Sequence, residues 1–278
     1  MRIPTSCRCI ITGAASGFGR ALAIELSRRR ANLVLGDIDV AGTEETARQA
    51  VAAGAESARV VRCDVTRLGD VEGLAAECAG HVDLVVNNAG VASAGQIGEL
   101  SIDDWRWTLD VDLYGVIHGC HVLVPRLRAQ GRGYLLNVAS LAGIAALPAM
   151  GPYNVAKAGV IALSETLAAE LDGTGVGVTV LCPTFFQTNI ARSGRFAEPG
   201  IRKKAEHLVN RGTRADVVAR AALDAIERGD LYALPMADAR WLWRLKRAAP
   251  RSFRRWVATI ARWRNRLETG ARDLHISG

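Results

Sequence analysis

Six cysteines in 278 residues are too few and too scattered for a disulfide framework. Cys7 and Cys9 form the one close pair, and no second pair completes a zinc site. Their alternation in an apparent strand points both to one face. Buried, reduced thiols in a cytosolic compartment are expected. The chain also lacks internal repeats, a low-complexity linker and a collagen-like period. No secretory leader is visible: the apolar start at Cys9-Ile10-Ile11 runs into a glycine loop, not a cleavage site. One uncharged stretch, Gly133 to Ala156, is long enough to span a bilayer. It carries Asn137, Ser140, Pro148, Pro152 and Asn154 and breaks at Gly143 and Gly151, so a strand, a loop and a helix start are expected there.

A charge excess of one sign is missing from most of the chain. Residues 1–239 hold 24 Lys/Arg against 26 Asp/Glu, whereas residues 240–278 hold 11 against 2. The net charge of +7 therefore belongs to the C-terminal segment. A composition 49% hydrophobic and 23% charged excludes a wholly disordered chain. The length suits one large α/β domain with a substantial core.

Short apolar runs alternate with helical periodicity along the sequence. Strands are expected at Cys7–Thr12, Asn32–Gly36, Ala58–Arg62, Val82–Val86, Tyr134–Val138, Val176–Leu181 and Leu231–Leu234. Helices are expected at Gly17–Arg30, Val40–Ala53, Arg67–Ala79, Gly151–Leu171 and Arg214–Arg228. Another covers Ile102–Gln130, as one piece or two. Continuous apolar strands between helices indicate a Rossmann-type, doubly wound parallel sheet flanked by helices. Residues 1–238 are expected to form this domain, with a substrate segment at 184–212. Residues 239–278 then make a basic, Trp- and Arg-rich helical tail.

Thr12-Gly13-Ala14-Ala15-Ser16-Gly17-Phe18-Gly19 follows the first strand and opens the first helix. Glycines let backbone approach a pyrophosphate, and a helix N-terminus presents free N–H groups and a positive dipole to it. Asp37 ends the second strand, twenty positions after Gly17, where an acid would bond the adenosine ribose hydroxyls. A carboxylate there repels the extra phosphate of NADP. No Arg or Lys stands at Ser16, and Ile38 follows Asp37, so NAD is the expected cofactor.

Tyr153 and Lys157 are four apart on a predicted helix and share a face. A neighbouring lysine favours a phenolate, which gives an acid/base near neutral pH. Ser140 lies just past the fifth strand, at the carboxyl end of the sheet, where its hydroxyl can bond a substrate oxygen.

Over residues 5–235 the chain resembles the short-chain dehydrogenase/reductase (SDR) family. Thr12–Gly19 is similar to the family's TGxxxGxG, Asp64-Val65 to its adenine-contacting pair, and Asn87-Asn88-Ala89-Gly90 to NNAG. Ser140, Tyr153 and Lys157 match its catalytic serine, tyrosine and lysine. Pro183 and Thr188 match the ends of PGxxxT, which cradles the nicotinamide carboxamide. The resemblance implies cofactor contacts from Gly13, Ser16, Gly17, Phe18, Gly19, Asp37, Asp64, Val65, Asn88, Ala89, Gly90, Tyr153, Lys157, Pro183, Phe186 and Thr188. It also implies a homodimer or homotetramer built through the long helices near 102–130 and 151–171. Two positions depart from the family. Asp112 stands where an asparagine usually holds a relay water beside the lysine, and is counted as a fourth catalytic position. Thr184 replaces the usual glycine.

Phe185, Phe186, Ile190 and Phe196 after the sixth strand, with Leu141, Ile144, Ala145, Ala146, Leu147 and Met150 after Ser140, suggest a hydrophobic secondary alcohol or ketone as substrate. Core packing explains the same residues. Arg192, Arg195, Arg202, Lys203 and Lys204 keep an acidic substrate open. In the tail, Phe253, Trp256, Val257, Ile260, Trp263 and Leu267 recur at helical spacing. Arg251, Arg254, Arg255, Arg262 and Arg266 lie opposite, and Arg264 intrudes on the apolar arc. Such a helix suits an anionic membrane surface, which would make a cytoplasmic protein peripheral on the inner membrane face. It equally suits packing on the body. No nucleic-acid module accompanies the basic residues, which argues against that partner. The readings kept open beside the enzyme are an NAD-binding sensor or scaffold and a membrane-associated interaction protein.

Overall fold

Strands buried on both faces must satisfy their backbone groups with one another, and here they do so in register and in parallel. The computed structural model describes residues 2–259 and 262. The first half runs β1 (Arg8–Thr12), α1 (Gly17–Ser27), β2 (Asn32–Asp37), α2 (Val40–Ala52), β3 (Ser57–Arg62), α3 (Leu68–Ala76), β4 (Leu84–Asn87) and β5 (Ser93–Ala94). Next come α4 (Ile102–Leu109), a π-helical turn (Asp110–Tyr114), α5 (Gly115–Gln130), β6 (Gly133–Val138), α6 (Leu141–Ala145) and α7 (Gly151–Glu170). The remainder is β7 (Val176–Leu181), β8 (Arg195–Phe196), α8 (Pro199–Asn210), α9 (Ala215–Arg228), β9 (Tyr232–Ala233) and α10 (Ala237–Ala248), followed by helical residues 250–259.

The main sheet has the order β3-β2-β1-β4-β6-β7-β9, all parallel. The chain winds one way from β1 to β3 and the other way from β4 onward. That reversal opens a crevice above the carboxyl ends of β1 and β4, where such sheets bind ligands. Side chains alternate between faces with the period of two. Ile10, Val34, Val85 and Leu135 pack with Leu74, Leu123 and Val160 on one side. Ile11, Leu35, Val86 and Leu136 pack with Leu22, Leu26, Leu223 and Ile226 on the other.

The Rossmann-type parallel sheet expected from the sequence is therefore present. The stretch 133–156 resolves into β6, α6 and the start of α7. Among the described residues no helix is long and apolar enough to cross a membrane. The six cysteines are buried and form no disulfide, with the Cys7 and Cys9 sulfurs 3.4 Å apart at the start of β1. The helix expected over 102–130 is continuous but carries the π turn at its middle. Such a bulge rotates the side chains that follow it and recurs at functional sites.

Residues 237–259 lie against the body. Ala239 and Phe253 are buried in the core, and Leu242, Trp243, Leu245 and Val257 pack against it. The Trp243 ring stands 5.5 Å from that of Tyr232, and the Lys246 ammonium donates to the Ile144 carbonyl. The apolar arc expected in the tail thus divides: Phe253 and Val257 turn inward, and Trp256 is exposed. Ile260, Trp263, Arg264, Arg266 and Leu267 lie outside the described residues.

Candidate active site

The glycine loop is shaped by close backbone approaches. Gly13 has φ +66°, and a Cβ there would lie 2.7 Å from the Ala89 Cα. A Cβ at Gly19 would lie 2.2 Å from the Gly13 carbonyl oxygen. Asn88 holds the loop from the side, its amide donating to the carbonyls of Thr12 and Gly13, both at 2.9 Å. The Thr12 hydroxyl accepts from the backbone N–H of Asn88 and of Ala89. The motif 87–90 therefore braces the turn that opens α1. Phe18 is buried and meets Phe186 edge-on at 6.3 Å, and Ser16 is the helix N-cap. The first turn of α1 leaves its N–H groups without intrahelical partners and carries no acid to compete for them. These features fit a diphosphate.

Asp37 stands at the end of β2. Its Oδ2 accepts from the Ala15 N–H at 2.9 Å and its Oδ1 from the Asp39 N–H at 3.0 Å. The carboxylate is thereby fixed beside the glycine loop. Asp64 and Val65 follow β3: Asp64 accepts from the Thr66 N–H and hydroxyl, and Val65 is buried against Gly115. Thr188 lies over Gly17, whose Cβ would fall 2.6 Å from the Thr188 Oγ1. With Gln187, Asn189 and Asn210 these two line a cleft of about 430 Å³. The Pro183 carbonyl accepts from the Leu141 N–H at 2.9 Å, tying the end of β7 to the start of α6.

Ser140 caps α6, its Oγ accepting from the Ala142 N–H. Tyr153 and Lys157 face it from α7, with the Lys157 Nζ 5.6 Å from the centre of the Tyr153 ring. Burial pushes the Tyr153 phenol up from its ordinary range, and the Asp112 carboxylate pushes it the same way. The Ser140 hydroxyl draws it down. The lowering expected from Lys157 is not what dominates here.

Desolvation dominates, and Asp112 adds to it. It sits in the π turn, fully buried, with Oδ2 3.5 Å from the Lys157 Nζ. Its Oδ1 accepts from the Val91 N–H at 2.6 Å, and Oδ2 has no hydrogen-bond partner. Lys157, 2% exposed, also donates to the Val138 carbonyl at 3.2 Å. Desolvation raises the Asp112 carboxyl, against the lowering by Lys157. Gly90 passes directly over the pair: a Cβ there would come within 3.2 Å of Asp112 Oδ1 and 3.4 Å of Lys157 Nζ.

Sequence reasoning missed several residues that hold this arrangement. The carbonyl of Val138 and the N–H of Val91 are main-chain groups with no side-chain signature. A Cβ at Gly143 would lie 2.5 Å from the Lys157 carbonyl carbon, so glycine there lets α6 seat Ser140 against α7. Its signal was available as a break in an otherwise apolar run. Behind the site, Asn87 donates to Asn137 at 2.9 Å and Asn137 to Ser164 at 3.0 Å, which locks β4, β6 and α7 together.

The segment after β7 is fastened rather than free. β8 pairs with β5. Arg195 stacks 4.2 Å over the Trp107 ring and pairs with Asp104, and Arg202 stacks over Phe196 and donates to the carbonyls of Arg192 and Gly194. Leu141, Ile144 and Ala145 belong to the core, whereas Leu147, Met150 and Ile190 are half-buried and Phe185 is exposed. Thr184 meets Asp238 of α10 at 3.5 Å, linking this segment to the C-terminal helices.

Residues 8–198 match the family described as short chain dehydrogenase. A Mycobacterium tuberculosis protein named as the oxidoreductase SadH is 32% identical over 257 residues, covering 90% of this chain and 93% of its own. One named as the oxidoreductase EphD, from the same species, is 38% identical over 194 residues. The match covers 68% of this chain but spans only a third of EphD. A crystal structure of a short-chain dehydrogenase/reductase from Burkholderia phymatum in complex with NAD superposes with TM-score 0.84. It is 34% identical, with 89% of this chain and 95% of that one covered. A short-chain dehydrogenase from Sphingobium yanoikuyae in complex with NADPH superposes at 0.74 and 26% identity, covering 84% of this chain and 90% of that one.

Proposed function

This chain belongs to the short-chain dehydrogenase family, and on that premise we propose that it interconverts a hydrophobic secondary alcohol and its ketone, with NAD as cofactor. The observation that carries this reading is the half-buried Tyr153 phenol set between Ser140 and Lys157 at the carboxyl end of the sheet. NAD, when bound, supplies the acceptor for the hydride leaving the alcohol carbon. The residues suited to hold it are the Gly13–Gly19 loop, Asp37, the 88–90 turn and Thr188.

In the oxidative direction the Tyr153 phenolate takes the proton from the substrate hydroxyl. Ser140 bonds the same oxygen and orients it. Lys157, anchored by Val138 and Asp112, holds positive charge next to the phenol. In reduction Tyr153 returns its proton to the carbonyl oxygen.

Asp112 works against the phenolate through its charge. Replacing Asp112 by Asn removes that carboxylate while keeping the side chain's size. Tyr153 then ionises more readily, and the unscreened Lys157 charge acts in the same sense. The rising limb of the oxidative pH–rate profile is expected to move to lower pH, with faster turnover on its acid side. A limb that stays in place would rule out tuning of the site by Asp112.

The cofactor choice rests on Asp37. Its carboxylate is pinned at the end of β2 and would face the 2′-phosphate of NADP. Asp37→Ser is expected to erode preference for NAD over NADP by about tenfold, or ~1.4 kcal/mol. Comparing kcat/KM for the two cofactors in parent and variant tests it, and an unchanged ratio would place the discrimination elsewhere. For the substrate, half-buried Leu147, Met150 and Ile190 and exposed Phe185 favour an apolar group, and Arg195 and Arg202 are already engaged. Turnover of apolar secondary alcohols in preference to carboxylated ones tests this part.

A further inference from the structure

The C-terminal helices bury one side and leave an unusual surface on the other. In α10, Ala239 is buried and Leu242, Trp243 and Leu245 lean on the core, which turns Trp241 outward, 57% exposed. In residues 250–259, Phe253 and Val257 face the body and Trp256 stays 39% exposed. The two exposed indoles meet edge to face, 6.4 Å apart, with Phe253 5.8 Å beneath Trp256. Large aromatic side chains left in solvent side by side forfeit burial that folding normally secures.

The charge around this pair has one sign. Residues 239–259 contain seven Lys/Arg and no Asp/Glu. Lys246, Arg240 and Arg247 are occupied, by the Ile144 carbonyl, by the carbonyls of Leu234 and Pro235, and by the Trp243 ring. Arg244, Arg251, Arg254 and Arg255 are exposed and pair with no carboxylate among the described residues. At about 100° per residue, Arg251 and Arg255 point away from Phe253 and Val257, with Trp256 on the shoulder between them.

We propose that this face docks on an anionic lipid bilayer, with Trp241 and Trp256 entering the interface and the free arginines meeting the headgroups. Indoles settle at that depth, and each arginine gains from anionic lipid. A second copy of the chain fits poorly, because a two-fold contact would set the same positive patch against itself. The face adjoins the site: Lys246 holds the end of α6, whose first residue follows Ser140, and Asp238 contacts Thr184. Bilayer binding itself requires no particular substrate.

Co-sedimentation of the full chain with phosphatidylcholine vesicles, with and without phosphatidylglycerol, tests the proposal. Binding is expected only with phosphatidylglycerol, falling as salt rises. Arg251→Gln/Arg254→Gln/Arg255→Gln should bind about a hundredfold more weakly, at ~1 kcal/mol for each charge near the surface. Trp241→Ser/Trp256→Ser should bind at least about tenfold more weakly and lose the blue shift of indole emission on lipid. All five positions are exposed, so both variants should keep the parent's unfolding midpoint. Equal binding to both vesicle types, parent-like binding by either variant, tighter binding to duplex DNA than to anionic vesicles, or loss of self-association in the tryptophan variant would each overturn it.

Discussion

Tyr153→Phe is expected to lower kcat by about a hundredfold to ten-thousandfold, the usual worth of a placed general acid/base. The structure sets the phenol beside Ser140 and Lys157 at the carboxyl end of the sheet. Phenylalanine keeps the ring between its neighbours and removes only the oxygen. Affinity for NAD should therefore stay within about twofold, and the unfolding midpoint should hardly move. A variant retaining more than about a tenth of the parent rate would assign the proton transfer to another group.

Gly19→Ala is expected to weaken NAD binding by about a hundredfold and to destabilise the fold by ~1–3 kcal/mol. The added methyl would fall 2.2 Å from the Gly13 carbonyl oxygen and 2.8 Å from the Asn88 amide nitrogen. Both are fixed, because that carbonyl accepts from that amide. Relief requires moving the loop whose N–H groups are to meet the diphosphate. Gly73→Ala, inside α3 with nothing within 4 Å of the new methyl, provides the contrast. It should leave NAD affinity unchanged and stabilise by up to ~1 kcal/mol. Calorimetric titration with NAD and denaturant unfolding separate the two effects. Parent-like affinity in Gly19→Ala would remove the glycine loop from the cofactor site.

Most of the main sheet was legible because parallel strands covered on both faces read as continuous apolar runs. β1, β2, β6 and β7 fall within a residue of expectation, whereas β9 is confined to Tyr232–Ala233 within the longer run. Strand order is not written in any one run; it follows from how the crossovers wind. α6 has five residues, too short for helical periodicity, and β5 and β8 have two each. α8 lay hidden in a segment read for its aromatic residues, and there Arg195 and Arg202 proved to be fasteners of the fold. At the site, spacing paired Tyr153 with Lys157, and the family resemblance put Asp112 beside the lysine. Spacing could not show that Asp112 is wholly buried, with Oδ2 facing Lys157 but making no hydrogen bond, because the π turn sets that orientation. The upward shift of Tyr153 comes first from its own desolvation and then from the Asp112 charge, and a pattern of residue types shows neither.

The measurement that bears most directly on the account is NADH formation by the purified full chain across a panel of apolar secondary alcohols, with NAD and NADP in parallel. The account predicts turnover of at least one such alcohol, with NAD preferred. Tight NAD binding with no turnover across the panel would contradict it, and would leave a chain that binds the cofactor to sense or to scaffold.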